Sequence, residues 1–189
     1  MAATSSNSAE WQTPDWLVEK CREMLGGTIS LDAASSAEAN KVIKADRFYD
    51  ITANALAQRW DHDTPYWDFR HSNGKPTLFL NPPGERSGKL IRQFWSHWDH
   101  HSASGHFYAS VWVDFNLDHL RFIRRVPGDI LIIPRKRLAF KDPATGKVKK
   151  GAQIGGFLLF RGAWGCSDSS IPRTIQWPDS EYLCMLGQD

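Results

Sequence analysis

Short apolar runs alternate along this chain with segments in which apolar residues recur every three to four positions. Helical spacing follows the turn at Thr13-Pro14 and returns over residues 89–98 and 117–125. The apolar runs, which predict strands, lie at residues 28–31, 76–80, 107–115, 129–133 and 154–160. Strands that alternate with helices predict an α/β fold with a mostly parallel sheet, helices on both faces and an antiparallel pair near the C-terminus.

Length and composition predict one domain behind a short tail. The chain has 189 residues, 41% of them hydrophobic and nine of them tryptophan, which is enough to bury one sizeable core. Residues 1–9 are rich in Ser and Ala and predict a disordered tail, whereas residues 10–189 predict a single domain. Thr13 is the expected N-cap of the first helix, with Pro14 at its first position, and Gly26-Gly27 is expected to end it.

The apolar stretches, the cysteines and the histidines together predict a soluble, metal-free protein in a reducing cytoplasm. The longest apolar stretch near the C-terminus, residues 155–160, is too short to cross a bilayer, and the polar N-terminus has no signal-peptide core. Three cysteines that fit neither a disulfide framework nor a zinc site are Cys21, Cys166 and Cys184. Four clustered histidines, expected at the surface and not on a metal, are His97, His100, His101 and His106.

Positive charge is concentrated between residues 121 and 161. Eleven basic and two acidic residues give this segment a net charge of +9, although the whole chain carries only +2. Such a segment suits a polyanion, because each contact to a phosphate releases condensed counterions. A solvated surface is the alternative interpretation.

The most informative residues are Asn81-Pro82-Pro83-Gly84, directly after the predicted strand at 76–80. In open α/β sheets, ligands gather beyond the carboxyl ends of the strands. An asparagine carbonyl and the following proline carbonyl can each accept a hydrogen from an exocyclic base amine, which stabilises positive charge as it develops on the nitrogen. The prolines would hold these carbonyls rigidly. On spacing alone, a rigid turn without catalysis explains the motif equally well.

Five motifs in order resemble those of the phage-type DNA N-6-adenine methyltransferases. They are Trp11-Gln12-Thr13-Pro14, Leu31-Asp32-Ala33-Ala34-Ser35, Asn54-Ala55-Leu56 before Trp60, Asn81-Pro82-Pro83-Gly84, and Arg135-Lys136-Arg137-Leu138-Ala139-Phe140 followed by residues 142–147. Each motif alone is weak, but the ordered set covers most of the chain. The resemblance implies a Rossmann-like methyltransferase fold, an S-adenosylmethionine cofactor and a double-stranded DNA substrate.

The resemblance also implies the residues of a cofactor pocket and a catalytic site. Asn81, Pro82 and Pro83 would be catalytic. The residues implied for the cofactor are Thr13, Pro14, Asp32, Ala34, Ser35 and Asn54. Asn54 stands where the family usually has an aspartate near the adenine of the cofactor, so the negative charge is absent. For Asp32, the cap of a following helix is the alternative role.

Gly84 departs from the family, which has an aromatic residue at this position. That ring normally stacks on the flipped target base, a contact worth about 1–3 kcal/mol. Trp112 or Phe115, at the end of a predicted strand, could fill the space, although aromatic residues on strands and amphipathic helices usually belong to the core. The aromatic residues expected in the core are Trp95, Trp98, Trp112, Phe115, Phe157 and Phe160.

Basic residues near the site and in the segment at 121–161 predict contacts to DNA phosphates. They are Arg86, Lys89, Arg135, Lys136, Arg137, Lys147, Lys149 and Lys150. Solvated charges are the alternative for Arg86 and Lys89. The sequence therefore predicts a DNA adenine methyltransferase of phage or prophage origin. The other hypotheses are a catalytically degenerate protein of the same fold, which binds DNA or another partner without turnover, and a methyltransferase for the cytosine amine.

Overall fold

The computed structural model describes residues 12–60, 76–83, 87–104, 109–123, 130–133, 156–161 and 182–185. The helices are α1 (Asp15–Met24), α2 (Ala37–Ile43) and α3 (Ser87–Ser104), with 3-10 helices at Ala55–Ala57 and Leu117–Phe122. The strands are β1 (Leu31–Asp32), β2 (Arg47–Phe48), β3 (Thr77–Leu80), β4 (Ala109–Asp114), β5 (Ile130–Ile133), β6 (Phe157–Arg161) and β7 (Tyr182–Met185). The tail predicted at residues 1–9 lies outside the described residues.

Seven described strands form one mixed sheet in the order β2-β1-β3-β4-β6-β5-β7. The strands β2, β1, β3 and β4 pair in parallel, and β6 pairs antiparallel with both β4 and β5. Because β7 is also antiparallel to β5, only β6 and β7 among these strands run against the others. The predicted α/β fold with a mostly parallel sheet is confirmed, and its antiparallel part is larger than the predicted pair.

Helices cover both faces of the sheet, as predicted. On one face, α1 and α2 pack on strand residues in a cluster that includes Leu17, Val18, Cys21, Ile43, Phe79 and Val111. On the other face, α3 packs on a second cluster that includes Leu31, Leu78, Leu80, Leu90, Phe94 and Trp112. Alternate residues of β3 therefore face opposite layers, with Phe79 toward α1 and Leu78 and Leu80 toward α3.

The start of α1 differs from the prediction. Pro14, not Thr13, is the N-cap, and the helix makes no side-chain capping hydrogen bond there. The Thr13 hydroxyl accepts a hydrogen bond from the Asn81 side chain at the edge of the sheet instead. The predicted end is correct: Gly26 and Gly27 have positive φ angles of 82° and 101°, a conformation that suits glycine.

The cap of α2 excludes the alternative role of Asp32. Ser36 is the N-cap, and its side chain accepts a hydrogen bond from the Ala39 N–H at 3.1 Å. Asp32 ends β1 four residues before that cap. Interpreting Asp32 as a helix cap is therefore wrong, and its burial needs another explanation.

Two further sequence expectations fail in the C-terminal half. The strand predicted to be the last corresponds to β6, but β7 follows it at the sheet edge. The helix predicted at residues 117–125 is a 3-10 helix that ends at Phe122, and the Asn116 side chain accepts from the Asp118 N–H at its start.

Buried hydrogen bonds hold β3 beside the residues that precede β1. The Thr77 hydroxyl donates to the Thr28 carbonyl at 2.8 Å and accepts from the Ser30 N–H at 3.0 Å. The Ser30 hydroxyl accepts in turn from the Thr77 N–H. These contacts fix the register between β1 and β3, and with it the relative position of the loops that follow the two strands.

Most of the aromatic residues expected in the core are buried there. Trp95, Trp112, Phe157 and Phe160 are each at most 3% exposed. Phe115 is half-buried against the cluster beside α1, and the side chain of Trp98 lies outside the described ones. Among the described residues, no helix has the length and apolar character needed to cross a membrane.

Candidate active site

The loops after β1 and β3 lie side by side at one edge of the sheet. Asp32 pairs with Phe79 in the parallel register, and the Ala33 N–H donates to the Phe79 carbonyl at 3.0 Å. Asn81 follows Phe79 by two residues, so strand geometry puts its Cα about 8 Å from that of Asp32. Both residues lie on the sheet face that α1 covers, since Phe79 packs in the cluster beside α1. The sequence placed these residues in one site, and the fold brings them together.

A hydrogen bond joins the first motif to the asparagine of the fourth. The Asn81 Nδ2 atom donates to the Thr13 Oγ1 atom at 2.8 Å, across 68 positions of sequence. Thr13 is only 4% exposed, and Pro14 beside it is also buried. Because the amide nitrogen is held by Thr13, the carbonyl oxygen occupies the other end of the amide and is the group that can accept from a ligand.

Asp32 carries a buried carboxyl group. Its side chain is fully buried, and among the described residues its Oδ2 atom has no hydrogen-bond partner. The Oδ1 atom accepts from the Ala34 N–H at 3.2 Å. Burial raises the pKa of Asp32 to about 6, while hydrogen bonds from the Ser35 side chain and the Ala34 N–H oppose the rise. A buried acid with an unpaired oxygen is the arrangement expected where a cation binds.

The loop after β2 adds a cleft to this edge. The Ser35 N–H donates to the Tyr49 carbonyl at 2.8 Å, which ties the loops after β1 and β2 together. Asn54 lies in the left-handed region with φ 49° and ψ 80°, a conformation that asparagine tolerates well. An open cleft of about 370 Å³ lies here, and its described lining residues are Ile51, Asn54, Leu56 and Lys89.

The end of β4 completes the edge with a buried polar network that the sequence did not predict. Asp114 accepts hydrogen bonds from Trp112 Nε1 at 3.0 Å and from the Asn116 N–H at 2.9 Å, and its Oδ2 atom lies 2.8 Å from His119 Nδ1. Burial raises the pKa of Asp114, and the bond to His119 opposes the rise. The parallel pairing of β3 with β4 ends at Leu80 and Trp112, so Asp114 lies two residues beyond the last paired position of β4, at the same edge of the sheet as the loop after β3. The sequence gives no sign of the contact between Asp114 and His119, because a single histidine five positions after the end of a strand matches no motif.

Burial distinguishes the two aromatic residues that could replace the ring missing at position 84. Trp112 is fully buried, and its ring packs against Phe94, Trp95 and Phe157 on the face toward α3. Trp112 as a pocket residue is therefore wrong. Phe115 is half-buried, on the face that Asn81 shares, and stays the candidate.

Only part of the predicted DNA-binding set lies in the described residues. Lys89 is exposed in the first turn of α3 and lines the cleft. The rest of the set lies outside the described residues, as does Gly84; these residues are Arg86, Arg135, Lys136, Arg137, Lys147, Lys149 and Lys150. His106 and the side chains of His97, His100 and His101 are likewise not described. Within the described part of the chain, no group of three or more His, Cys, Asp or Glu residues could hold a metal ion.

The strand order and the position of the site define the class of protein. A mostly parallel α/β sheet with an antiparallel strand between β4 and β5, and polar loops gathered beyond β1, β2, β3 and β4, is a Rossmann-like methyltransferase fold. The family model for DNA N-6-adenine-methyltransferase (Dam) matches residues 2–179, so the chain belongs to the Dam family. No curated protein and no solved structure matches the chain.

Proposed function

We propose that this protein transfers a methyl group from S-adenosylmethionine to the exocyclic amine of a flipped adenine in double-stranded DNA. Membership of the Dam family supports methylation of DNA adenine in general. The observation that carries the site assignment is the hydrogen bond between Asn81 and Thr13, beside Asp32 at the carboxyl edge of the sheet. We further propose a phage or prophage origin and action in the cytoplasm of the host.

Asn81, Pro82 and Pro83 form the catalytic loop in this proposal. The Asn81 Oδ1 atom and the Pro82 carbonyl each accept one hydrogen of the target amine. Two acceptors draw the nitrogen toward tetrahedral geometry and stabilise the positive charge that develops on it. Successive prolines restrict the backbone, so the acceptors lose little freedom when the base arrives. Phe115 is proposed to stack on the flipped base in place of the ring that Gly84 lacks.

The residues at this edge fit an S-adenosylmethionine site. When bound, the cofactor supplies an electrophilic methyl group on a sulfonium. The unpaired, buried Oδ2 atom of Asp32 suits a cationic group such as the ammonium of the cofactor. Ala34 and Ser35 are small, which leaves space for a ligand beside the backbone. Thr13 and Pro14 close the pocket on the side of α1, and Asn54 borders the cleft through a side chain without charge.

DNA is proposed to lie across the carboxyl edge of the sheet. Lys89 lines the cleft beside this edge and is proposed to contact a phosphate. The basic segment at residues 121–161 supplies the remaining contacts, within one domain spanning residues 10–189. The proposed contacts there are Arg135, Lys136, Arg137, Lys147, Lys149 and Lys150, and Arg86 joins Lys89.

The test is methyl transfer from labelled S-adenosylmethionine to unmethylated DNA, followed by digestion to nucleosides. We expect label in N6-methyladenine. Asn81→Ala should abolish transfer while the circular dichroism spectrum and the binding of S-adenosylhomocysteine persist. Asp46→Asn, at an exposed position outside the site, is the matched control. A full transfer rate in Asn81→Ala would remove Asn81 from the mechanism.

A degenerate protein that binds without turnover is the second candidate. The observation that favours it is the burial of Trp112, which removes one replacement for the ring missing at Gly84. The same assay separates the candidates. Binding of S-adenosylhomocysteine without label in any nucleoside would support the degenerate protein, and label in N4-methylcytosine would identify the cytosine amine as the target.

A further inference from the structure

We infer that Gln93 is a positioning residue, which holds the two walls of the cleft at the spacing that the cofactor needs. The inference rests on the proposed function, because it assigns the cleft beside Asn54 to S-adenosylmethionine. It gives a task to a residue of α3 that belongs to no motif. The carrying observation is that the Gln93 side chain donates from α3 to two carbonyls of the loop opposite.

The cleft has one wall from the loop after β2 and one from α3. Among its described lining residues, Ile51, Asn54 and Leu56 come from the loop, and Lys89 comes from the helix. Lys89 and Gln93 are four positions apart, so they lie on the same side of α3, one turn from each other. Gln93 therefore reaches the loop one turn beyond the cleft.

The Gln93 amide binds both ends of the 3-10 helix at Ala55–Ala57. Its Nε2 atom donates to the Ala55 carbonyl at 3.2 Å and to the Gln58 carbonyl at 3.1 Å. Backbone carbonyls only accept hydrogen bonds, so the direction of both bonds is fixed, and together they use both hydrogens of the amide. The Ala55 carbonyl also accepts from Trp60 Nε1 at 2.8 Å. Without Gln93, the Ala55 carbonyl would keep that donor, whereas the Gln58 carbonyl would lose its bond to α3.

The wall formed by the loop depends on such hydrogen bonds more than on packing. Ile51 and Asn54 are exposed, and Ile51 is 75% exposed. The 3-10 helix after Asn54 has only three residues, and hydrogen bonds of this kind have poorer geometry than those of an α-helix. A contact from a long helix to both ends of so short a segment therefore fixes its distance from that helix.

The consequence for the cofactor follows from the fraction of molecules that can bind it. Without the bonds of Gln93, the loop can move away from α3, and the cofactor binds only to molecules in which the cleft has its observed width. The apparent Kd rises in inverse proportion to that fraction, so a fraction of about one tenth raises it about tenfold.

The deciding experiment compares two variants by calorimetric titration with S-adenosylhomocysteine. Gln93→Met removes both donors at similar length, and Gln93→Glu keeps the shape but turns acceptors toward two carbonyls. We expect Gln93→Met to raise the Kd about tenfold and Gln93→Glu to raise it at least as much. Arg92→Met, at the neighbouring exposed position of α3, is the matched control and should bind like the wild type. If Gln93 acted through its shape alone, Gln93→Glu would also bind like the wild type, which would overturn the inference.

A merely structural role of Gln93 predicts a different result. Loss of the two bonds would then lower the melting temperature and leave the Kd unchanged at a temperature where circular dichroism shows every variant folded. The resemblance puts Asn54 near the adenine of the cofactor, so 5′-methylthioadenosine, which lacks the amino-acid part, should lose affinity by the same factor as S-adenosylhomocysteine. An unchanged Kd of either ligand in Gln93→Met would overturn the inference.

A second readout needs no cofactor. The N–H groups of Ala57 and Gln58, which bond within the 3-10 helix, should exchange with solvent about tenfold faster in Gln93→Met than in Arg92→Met. The N–H of Lys44, which bonds within α2, should exchange equally in both. Unchanged exchange of Ala57 and Gln58 would overturn the inference even if the Kd rose. Should Gln93→Met not fold, Gln93→Ala replaces it. If the wild type does not bind S-adenosylhomocysteine, the proposed function fails, whereas the exchange rates still test whether Gln93 holds the loop.

Discussion

The buried carboxyl group of Asp32 predicts a stability that depends on pH in a defined direction. Its pKa rises from an ordinary value of 3.8 to about 6 in the folded protein, because burial disfavours the charged form. The contribution of this group to stability is therefore fully present below pH 3.8 and is lost as the pH rises to about 6. Above that pH, the folded protein carries a buried charge, one oxygen of which has no hydrogen-bond partner in the described part of the chain.

The size of the effect follows from the two pKa values. A shift from 3.8 to about 6 is roughly two units, and each unit corresponds to 1.36 kcal/mol, so ionisation of Asp32 costs about 3 kcal/mol. Asp32→Asn keeps the shape and the acceptor for the Ala34 N–H but never ionises. The free energy of unfolding of the variant, relative to that of the wild type, should therefore be about 2–3 kcal/mol higher at pH 8 than at pH 4, because Asp32 of the unfolded wild type is already partly ionised at pH 4.

Urea denaturation of both proteins between pH 4 and pH 8 measures this difference. Burial also raises the pKa of Asp114. Because Asp114 is present in both proteins, its contribution cancels in the difference between their free energies of unfolding. Asp46→Asn, which removes an exposed carboxyl group, is the matched control. Its free energy of unfolding should change with pH in the same way as that of the wild type. A constant difference between Asp32→Asn and the wild type across this pH range would refute the argument.

Three smaller predictions test other contacts. Ser36→Ala should lower the free energy of unfolding by about 1 kcal/mol in urea, because it removes the cap of α2. Trp112→Phe should lower it by about 1–3 kcal/mol, because the buried Asp114 carboxylate loses a donor. Lys89→Ala should reduce the slope of log Kd for DNA against log salt by about one; an unchanged slope would exclude a phosphate contact.

The apolar pattern predicted most elements of the fold and missed β2 and β7. β3 and β4 were found because each is a continuous run of mostly apolar residues that is buried throughout, and α3 because its apolar residues recur every three to four positions. β2 has two residues, Arg47 and Phe48, and two residues cannot show a period. β7 contains a cysteine and a methionine among its four residues and follows no clear alternation, so its place at the sheet edge comes from pairing with β5.

The candidate site was predictable where strand ends supply the residues and unpredictable where distant side chains meet. A polar residue after a buried run marks the carboxyl edge of a sheet, which identified Asn81 and Asp32. Nothing local, however, indicated that the Thr13 hydroxyl would bond to Asn81, because local rules favour a helix cap. The contact between Asp114 and His119 was missed for the same reason. Deviations from local rules of this kind are expected at functional sites.

A bound cofactor can offset the cost of burying Asp32, because a ligand that binds only the folded protein stabilises it, by about 2.7 kcal/mol at one hundred times its Kd. If the ammonium of the cofactor pairs with Oδ2, Asp32→Asn should weaken binding about tenfold or more, because the charge it would meet is gone. Excess S-adenosylhomocysteine at pH 8 should then raise the melting temperature of the wild type well above that of its ligand-free form and raise that of Asp32→Asn much less. Equal shifts in the two proteins would mean that the cofactor does not contact this carboxylate, and the buried charge would have no compensating ligand.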